Sequence, residues 1–220
     1  MTGKPILYFG CHWMYRRDNP MTKRHCMIDN QRQRCGWPGD DPLMVRYHDE
    51  EWGVPVHDDR KWFEFIVLDA FQAGLSWKTV LHKRDAFHRV FHGFDPLQVA
   101  GMSEKALAGA MTNPAIIRNR LKIRAAVKNA QAFLRLQETH GGFDDYIWTF
   151  TGGRVIQNNW KTPETVPDRT DLSDTVSRAL KQQGFSFVGS TICYSFLQAA
   201  GVVNDHLVTC FRHRELGSRK

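Results

Sequence analysis

The chain has no long hydrophobic run. Its longest apolar stretch near the start is Ile6-Leu7-Tyr8-Phe9, far short of an export signal's apolar core or of the roughly 20 residues that span a bilayer. The expectation is a soluble cytoplasmic protein with no membrane association. It also lacks an even set of cysteines. The five present, at 11, 26, 35, 193 and 210, argue against a secreted disulfide framework and for thiols that are reduced, buried or metal-bound. There are no internal repeats, no low-complexity tract, and no strong alternation of the kind strands need.

What is present is enough apolar material for a core: 42% hydrophobic and 12% aromatic residues in 220, suiting one or at most two compact domains. The formal charge of +7 points towards a polyanionic partner, but it is unevenly placed. Residues 1–34 carry +5 and residues 212–220 carry +3, leaving a body of −1. Residues 1–33, mixed in composition and without sustained period, read as a poorly ordered basic extension. Residues 34–213 read as the folded domain and 214–220 as a basic tail.

The periodicity predicts an all-α protein of about eight helices. Asp58 and Asp59 open one that carries Trp62 to Phe71 and ends at Gly74. Ser76 caps a second, running through Phe91 to Gly93. Asp95-Pro96 and Ser103 open two short helices. Asn113-Pro114 precedes a long amphipathic stretch ending at Gly141-Gly142. Phe143 to Phe150 is a short helix, 152–172 an irregular loop, and Ser173–Gln183, Thr191–Ala200 and His206–Cys210 complete the set.

Three constellations could carry chemistry. Cys35, His48, His206 and Cys210 are two thiols and two imidazoles. On a helix, His206 and Cys210 would share a face at i, i+4, and four such ligands would close a tetrahedral zinc shell with no open position. A His-x-x-x-Cys pair can equally be a surface pair. Secondly, Trp37, Tyr47, Trp52 and Trp77 cluster in sequence around Asp69, a carboxylate inside an apolar helical stretch where an unpartnered charge is costly. Either the aromatics are core and Asp69 a capping carboxylate, or the rings stack on a nucleobase whose edge and charge Asp69 reads. Thirdly, Arg118, Arg120, Lys122 and Arg124 follow the Asn113-Pro114 turn, as a phosphate-binding helix start or as a plain solvated basic face.

Several ordered blocks resemble the DNA-3-methyladenine glycosylase I family: Arg34-Cys-Gly-Trp37, Asp41-Pro-Leu43 with Tyr47-His48, Glu51-Trp-Gly-Val-Pro55, Gln72-Ala-Gly-Leu-Ser-Trp77, Ile116-Ile-Arg-Asn-Arg-Leu-Lys-Ile123, Gly189-Ser-Thr-Ile-Cys-Tyr-Ser-Phe196, and Gly201-Val-Val-Asn-Asp-His206 with Cys210. The resemblance implies a helix-hairpin-helix glycosylase fold, with the hairpin around Thr112 to Lys122. It implies one structural zinc ion on Cys35, His48, His206 and Cys210, joining the two ends of the domain.

It further implies a monomeric enzyme that flips 3-methyladenine out of alkylated double-stranded DNA and excises it hydrolytically without cutting the strand. Asp69 takes the position of the family's base-contacting Glu, one methylene shorter, and is the catalytic candidate. Trp37, Tyr47 and Trp77 match stacking walls, and Met44 stands where the family has a pocket Tyr. Gly74 and Leu75 would form the turn that wedges the duplex, with Arg118, Arg120 and Lys122 on phosphates. A non-enzymatic zinc-stabilised nucleic-acid-binding module is the competing class, and a zinc hydrolase the weakest, since a filled Cys2His2 shell has no place for water.

Overall fold

The computed structural model describes residues 32–217. The expected 1–33 extension lies almost wholly outside them. Among the described residues there are eleven α-helices, two single-turn 3-10 segments and two strands of two residues each. None of these helices is long and apolar enough to cross a membrane.

Local caps set most boundaries. The first helix, α1 (Pro42–Glu50), starts on Asp41, whose carboxylate accepts from the Leu43 and Met44 amides. It uses the same Asp-Pro device as α5 (Pro96–Ala100), and it is absent from the periodicity reading. Asp58 caps α2 (Asp59–Gln72), and Ser103 caps α6 (Glu104–Thr112). Gly141 closes α7 (Arg120–His140), and α8 (Phe143–Thr149) follows directly. Helices α9 (Asp171–Gln182) and α10 (Ser190–Ala199) fall close to their expected spans.

Three expectations are corrected. The single helix expected from Ser76 to Phe91 is two, α3 (Trp77–Leu81) and α4 (Arg84–Val90). The break at His82-Lys83 re-aims the second piece, so that Phe87 and Phe91 lie 4.6 and 5.9 Å from Phe71, ring centroid to centroid. Asn113-Pro114 does not open α7. The Asn113 side chain accepts from the Ala115 amide in a local turn, and the helix starts after Asn119, which accepts from Leu121 and Lys122. Replacing Asn119 by Ala should therefore cost about 1 kcal/mol in urea denaturation, and an unchanged midpoint would deny it the cap role.

Thirdly, His206–Cys210 is not helical. It is a turn between β2 (Val203–Asn204) and α11 (Phe211–Gly217), fixed where the Asn204 side chain accepts from the His206 amide and Cys210 N–H donates to Leu207. The 152–172 loop is irregular as expected, but it includes β1 (Ile156–Gln157), which pairs in parallel with β2. Residues 214–217, expected in the tail, continue α11.

The core is built around α2, whose Trp62, Phe63, Phe65, Leu68 and Phe71 are essentially inaccessible. Against it pack α10, through Trp62 and Phe196 at 5.3 Å, and α7, through Phe63 and Phe133 at 5.4 Å. A smaller cluster of Cys35, Leu207 and Cys210 sits where the first and last described segments meet. Gly201 seals that region. At its φ of +68° a Cβ would lie 2.3 Å from the Val54 carbonyl carbon, so only glycine lets the two segments touch.

Candidate active site and metal centre

Asp69 lies in the last third of α2 and is 2% exposed. One helical step on, Gln72 shares its face, and both line a cavity of about 170 Å³. Opposite them, α10 contributes Ser195 and Ala199, again one turn apart. The remaining walls are aromatic: Tyr47 from α1, Trp77 at the start of α3, and Trp37 and Trp52 from the segments flanking α1. Tyr47 and Trp77 are 5.0 Å apart and Trp37 and Trp52 5.1 Å, giving ring faces and edges rather than a closed plug.

Two residues lining this cavity carry a buried polar atom without a partner among the described residues: Asp69 Oδ2, an acceptor, and Trp77 Nε1, a donor. Orphaned buried polar atoms cost about 1–3 kcal/mol each and are uncommon, so two of them on residues lining one cavity suit a site built for a ligand. Burial alone pushes the Asp69 carboxyl well above the ordinary carboxylate range. Burial also raises the Tyr47 phenol, with the Asp69 charge adding to it.

Behind the cavity, an ion-pair cluster fixes the end of α1. Arg84 donates to both oxygens of Glu51 at 2.8 Å and to Glu64 at 2.6 Å, while Lys61 reaches both carboxylates at 2.9 Å. Burial would raise Glu51, but Arg84 and Lys61 outweigh it and hold the carboxyl at about 2. Its contribution is therefore present at neutral pH and is lost only as the pH falls from about 4.5 towards 2.

Cys35, His48, His206 and Cys210 come together as the sequence implied, all buried, with their ligand atoms within 4.8 Å of one another. Cys210 Sγ is 3.5 Å from both His48 Nε2 and His206 Nδ1, and Cys35 Sγ is 3.7 Å from His206 Nδ1. A tetrahedral ion with Zn–S near 2.3 Å and Zn–N near 2.05 Å would set S···N edges at about 3.6 Å. The second ring nitrogen of each histidine is held: His48 Nδ1 by Asp49 at 2.8 Å and His206 Nε2 by the Trp52 carbonyl at 3.0 Å. Those acceptors place the protons on the outer nitrogens and turn lone pairs towards the thiols, as metal ligation requires.

Burial keeps His206 neutral by lowering it further. Asp49 is itself clamped by Arg34 Nε and Nη2, so Asp49→Ala should weaken metal retention about 10–100-fold, measured as zinc release to a chelator. Unchanged release would deny Asp49 that role. Asp205, next to His206, accepts from Asn158, Trp160, Tyr194 and Gln198. Those four bonds hold the ligand-bearing turn without any helix. The buried group can bind a metal ion, and its rings continue into the cavity wall: Trp37 is 5.4 Å from His48, and Trp52 is 4.5 Å from His206.

Two expected site residues are elsewhere. Met44, one turn before Tyr47, is buried in the main core and does not line the cavity. Its apolar chain has no polar end to hold at the wall. Lys122 is 6% exposed, and its ammonium donates to the Phe71 and Ala73 carbonyls at the end of α2, so it is not presented to a phosphate. Arg124 pairs with Glu104. Arg118 and Arg120 are exposed on the α6–α7 turn, and no ion pair engages them among the described residues. Leu75 stands 43% exposed after Gly74, whose φ of +77° turns the chain sharply. Trp52, in the sequence cluster without an assigned role, Gln72 and Ser195, inside blocks that carry the resemblance, and Ala199, outside any of them, are the lining residues beyond the expected set.

A mainly helical body with an aromatic, carboxylate-bearing cavity and a Cys2His2 cluster matches one family over most of its length. The chain belongs to the methyladenine glycosylase family, which matches residues 37–213. It is 48% identical over 178 residues to the DNA-3-methyladenine glycosylase 1 of Escherichia coli (strain K12), covering 81% of this chain and 95% of that protein. The DNA-3-methyladenine glycosylase of Haemophilus influenzae (strain ATCC 51907 / DSM 11121 / KW20 / Rd) is 44% identical over 177 residues, 80% of this chain and 96% of its own. A solved variant of 3-methyladenine DNA glycosylase I in complex with 3-methyladenine superposes with a TM-score of 0.79 at 33% identity, covering 81% of this chain and 96% of that one.

Proposed function

We propose that this protein excises 3-methyladenine from alkylated duplex DNA by hydrolysis. The observation that carries the reading is that Asp69 and Trp77, two of the residues lining one aromatic cavity, each carry a buried polar atom without a partner, Oδ2 and Nε1. An acceptor and a donor on the walls suit a heterocycle whose edge offers both, and the rings of Trp37, Tyr47 and Trp77 suit its faces. Relatives bearing the 3-methyladenine glycosylase name support the same chemistry.

In DNA, 3-methyladenine is a cation. Breaking its bond to deoxyribose leaves the bonding electron pair on the base, which departs neutral, and the sugar passes through an oxocarbenium-like state that water captures. The leaving group is already activated, so the protein's task is to extrude the nucleotide and bind the charged base better than a normal one. Asp69 supplies that difference. The cation provides the counter-charge its buried carboxylate lacks, whereas neutral adenine provides none. When the bond breaks that attraction disappears, which favours release of the base.

No lysine lines the cavity, which supports capture by water and an uncut strand rather than a Schiff base. Gly74 and Leu75 serve as the wedge, and the α6–α7 turn with Arg118 and Arg120 serves as the phosphate grip of a helix-hairpin-helix. Zinc is the ion that the Cys35, His48, His206 and Cys210 donor set fits. It would supply structural cross-linking of the two ends of the domain rather than chemistry, since four protein ligands fill its shell.

Incubation with methylated duplex DNA and chromatography of the released bases tests the reading. Free 3-methyladenine with the backbone uncut is the expected result. Binding of the DNA with no released base would instead indicate a non-enzymatic binding module.

A further inference from the structure

We propose that Lys122 is a positioning residue that couples the α6–α7 phosphate grip to the Leu75 wedge; this rests on the glycosylase reading above. The sequence places Lys122 in a basic run of four within seven residues, as if all four faced the DNA. The structure separates it from the others. Lys122 is buried, it meets no carboxylate among the described residues, and its ammonium donates to the carbonyls of Phe71 and Ala73. Those carbonyls belong to the end of α2 and its capping residue, where the helix has no further N–H of its own to offer and where a cation is favoured.

A buried cation without a counter-ion is an expensive way to satisfy two carbonyls, and its location gives it a purpose. Two residues after Ala73 comes Leu75, and two residues before Phe71, the first carbonyl-bearing residue, comes Asp69 of the cavity. The N-terminal turn of α7, which carries Lys122, opens with Arg120 and follows Arg118 by two residues. One side chain therefore joins the segment that would hold phosphates to the short stretch that carries the wedge at its tip and the base-reading carboxylate on its stem. A second lysine reinforces the joint from outside: Lys83, between α3 and α4, donates to the Pro114 and Ala115 carbonyls of the same turn.

With Lys122 in place, seating the turn on the backbone brings Leu75 into the duplex at a set depth. Without its ammonium, the grip still closes but the wedge is no longer held in register with it. Misplacement of this kind costs reaction rate rather than non-specific binding.

The test is a double-mutant cycle on Lys122→Met and Leu75→Ala, scored by single-turnover excision, by the fluorescence of a 2-aminopurine beside the lesion, and by the salt dependence of binding to undamaged duplex. Lys122→Met keeps the aliphatic stem. It should slow excision and the 2-aminopurine rise about 10–100-fold, while leaving the salt slope of duplex binding unchanged. In the Leu75→Ala background the same substitution should cost less than about 3-fold, because the segment through which it acts is already blunted.

A salt slope reduced by about 1 would make Lys122 a phosphate contact and overturn the proposal, as would full additivity with Leu75→Ala or excision at the original rate. If Lys122→Met is too unstable to assay, Lys122→Leu, which also keeps an apolar stem and has no donor, enters the same cycle with the same criteria. Failure of the glycosylase reading is distinguishable, since the unaltered protein would then release no 3-methyladenine at all.

Discussion

Asp69→Asn should lower the excision of 3-methyladenine at subsaturating DNA by about 100-fold or more, the scale of breaking a buried charge pair, about 3–5 kcal/mol, between the carboxylate and the cationic base, while making the protein more stable. Both effects have one cause. The carboxylate is buried, and its Oδ2 has no partner, so the folded protein carries an uncompensated group that the substrate's charge is there to meet. The neutral amide removes that burden and the recognition together.

The sign with pH follows from the raised carboxyl. The folded protein keeps its proton to higher pH than the unfolded chain, so Asp69 subtracts stability as the pH rises above about 4, its unfolded value. The advantage of Asn should therefore be about 1–3 kcal/mol at neutral pH, some 2–4 °C in Tm per kcal/mol, and should vanish near pH 4. By the same linkage, affinity for the cationic lesion should rise with pH through the raised carboxyl of the free protein and should lose that dependence in Asp69→Asn. Excision at the original rate by a zinc-loaded Asp69→Asn protein would remove Asp69 from the chemistry.

Cys210→Ala should be the most destabilising of the substitutions considered, because it removes one thiol from the buried cluster and leaves Cys35, His48 and His206 around a missing partner. Breaking a buried polar cluster of this kind costs about 3–5 kcal/mol, or roughly 6–20 °C in Tm for a domain of this size. Treatment with a strong chelator should lower Tm in the same direction, since a metal bound only by the folded state stabilises it. The loss should reach the cavity too, because Trp37 and Trp52 rest against His48 and His206. Base binding should weaken although neither tryptophan is altered. Near-stoichiometric zinc retained by Cys210→Ala would take that residue out of the shell.

Much of the helical framework is legible in local chemistry. Asp58, Asp95 and Ser103 announce the starts of α2, α5 and α6, and Gly141 the end of α7, because capping depends on a few adjacent atoms. Asp41-Pro42 carries the same signal for α1 and is overlooked only because the short helix after it has few regularly spaced apolar residues. Where periodicity misleads, a distant partner decides. The i, i+4 spacing of His206 and Cys210 suits a helix, yet Asp205 and its four donors, with β1 on β2, hold the segment as a turn.

The site follows the same division. The four metal-type ligands, Asp69 and three of the expected aromatic walls are identifiable from residue type, order and family resemblance. The direction of a side chain is not. Lys122 and Arg120 look alike in a basic run, but a helix turn sends one inward to Phe71 and Ala73 and leaves the other in solvent. Met44 and Tyr47 are neighbours on α1, and only Tyr47 reaches the cavity. The +7 charge is similarly misleading as a guide to the DNA face, since most of it lies in the terminal segments, while the exposed arginines of the α6–α7 turn are two.

Titration of the protein with 3,9-dimethyladenine, in which a methyl group replaces deoxyribose and keeps the base cationic, and, separately, with neutral 9-methyladenine, followed by tryptophan fluorescence, probes the cavity most directly, because Trp37, Trp52 and Trp77 all line it. Saturable quenching by the cationic 3,9-dimethyladenine at concentrations where 9-methyladenine gives none, and its loss in Asp69→Ala, is the expected result. Equal responses to the two bases, or an Asp69→Ala protein that still discriminates between them, would contradict the assignment of this cavity and its carboxylate as the site that selects the methylated base.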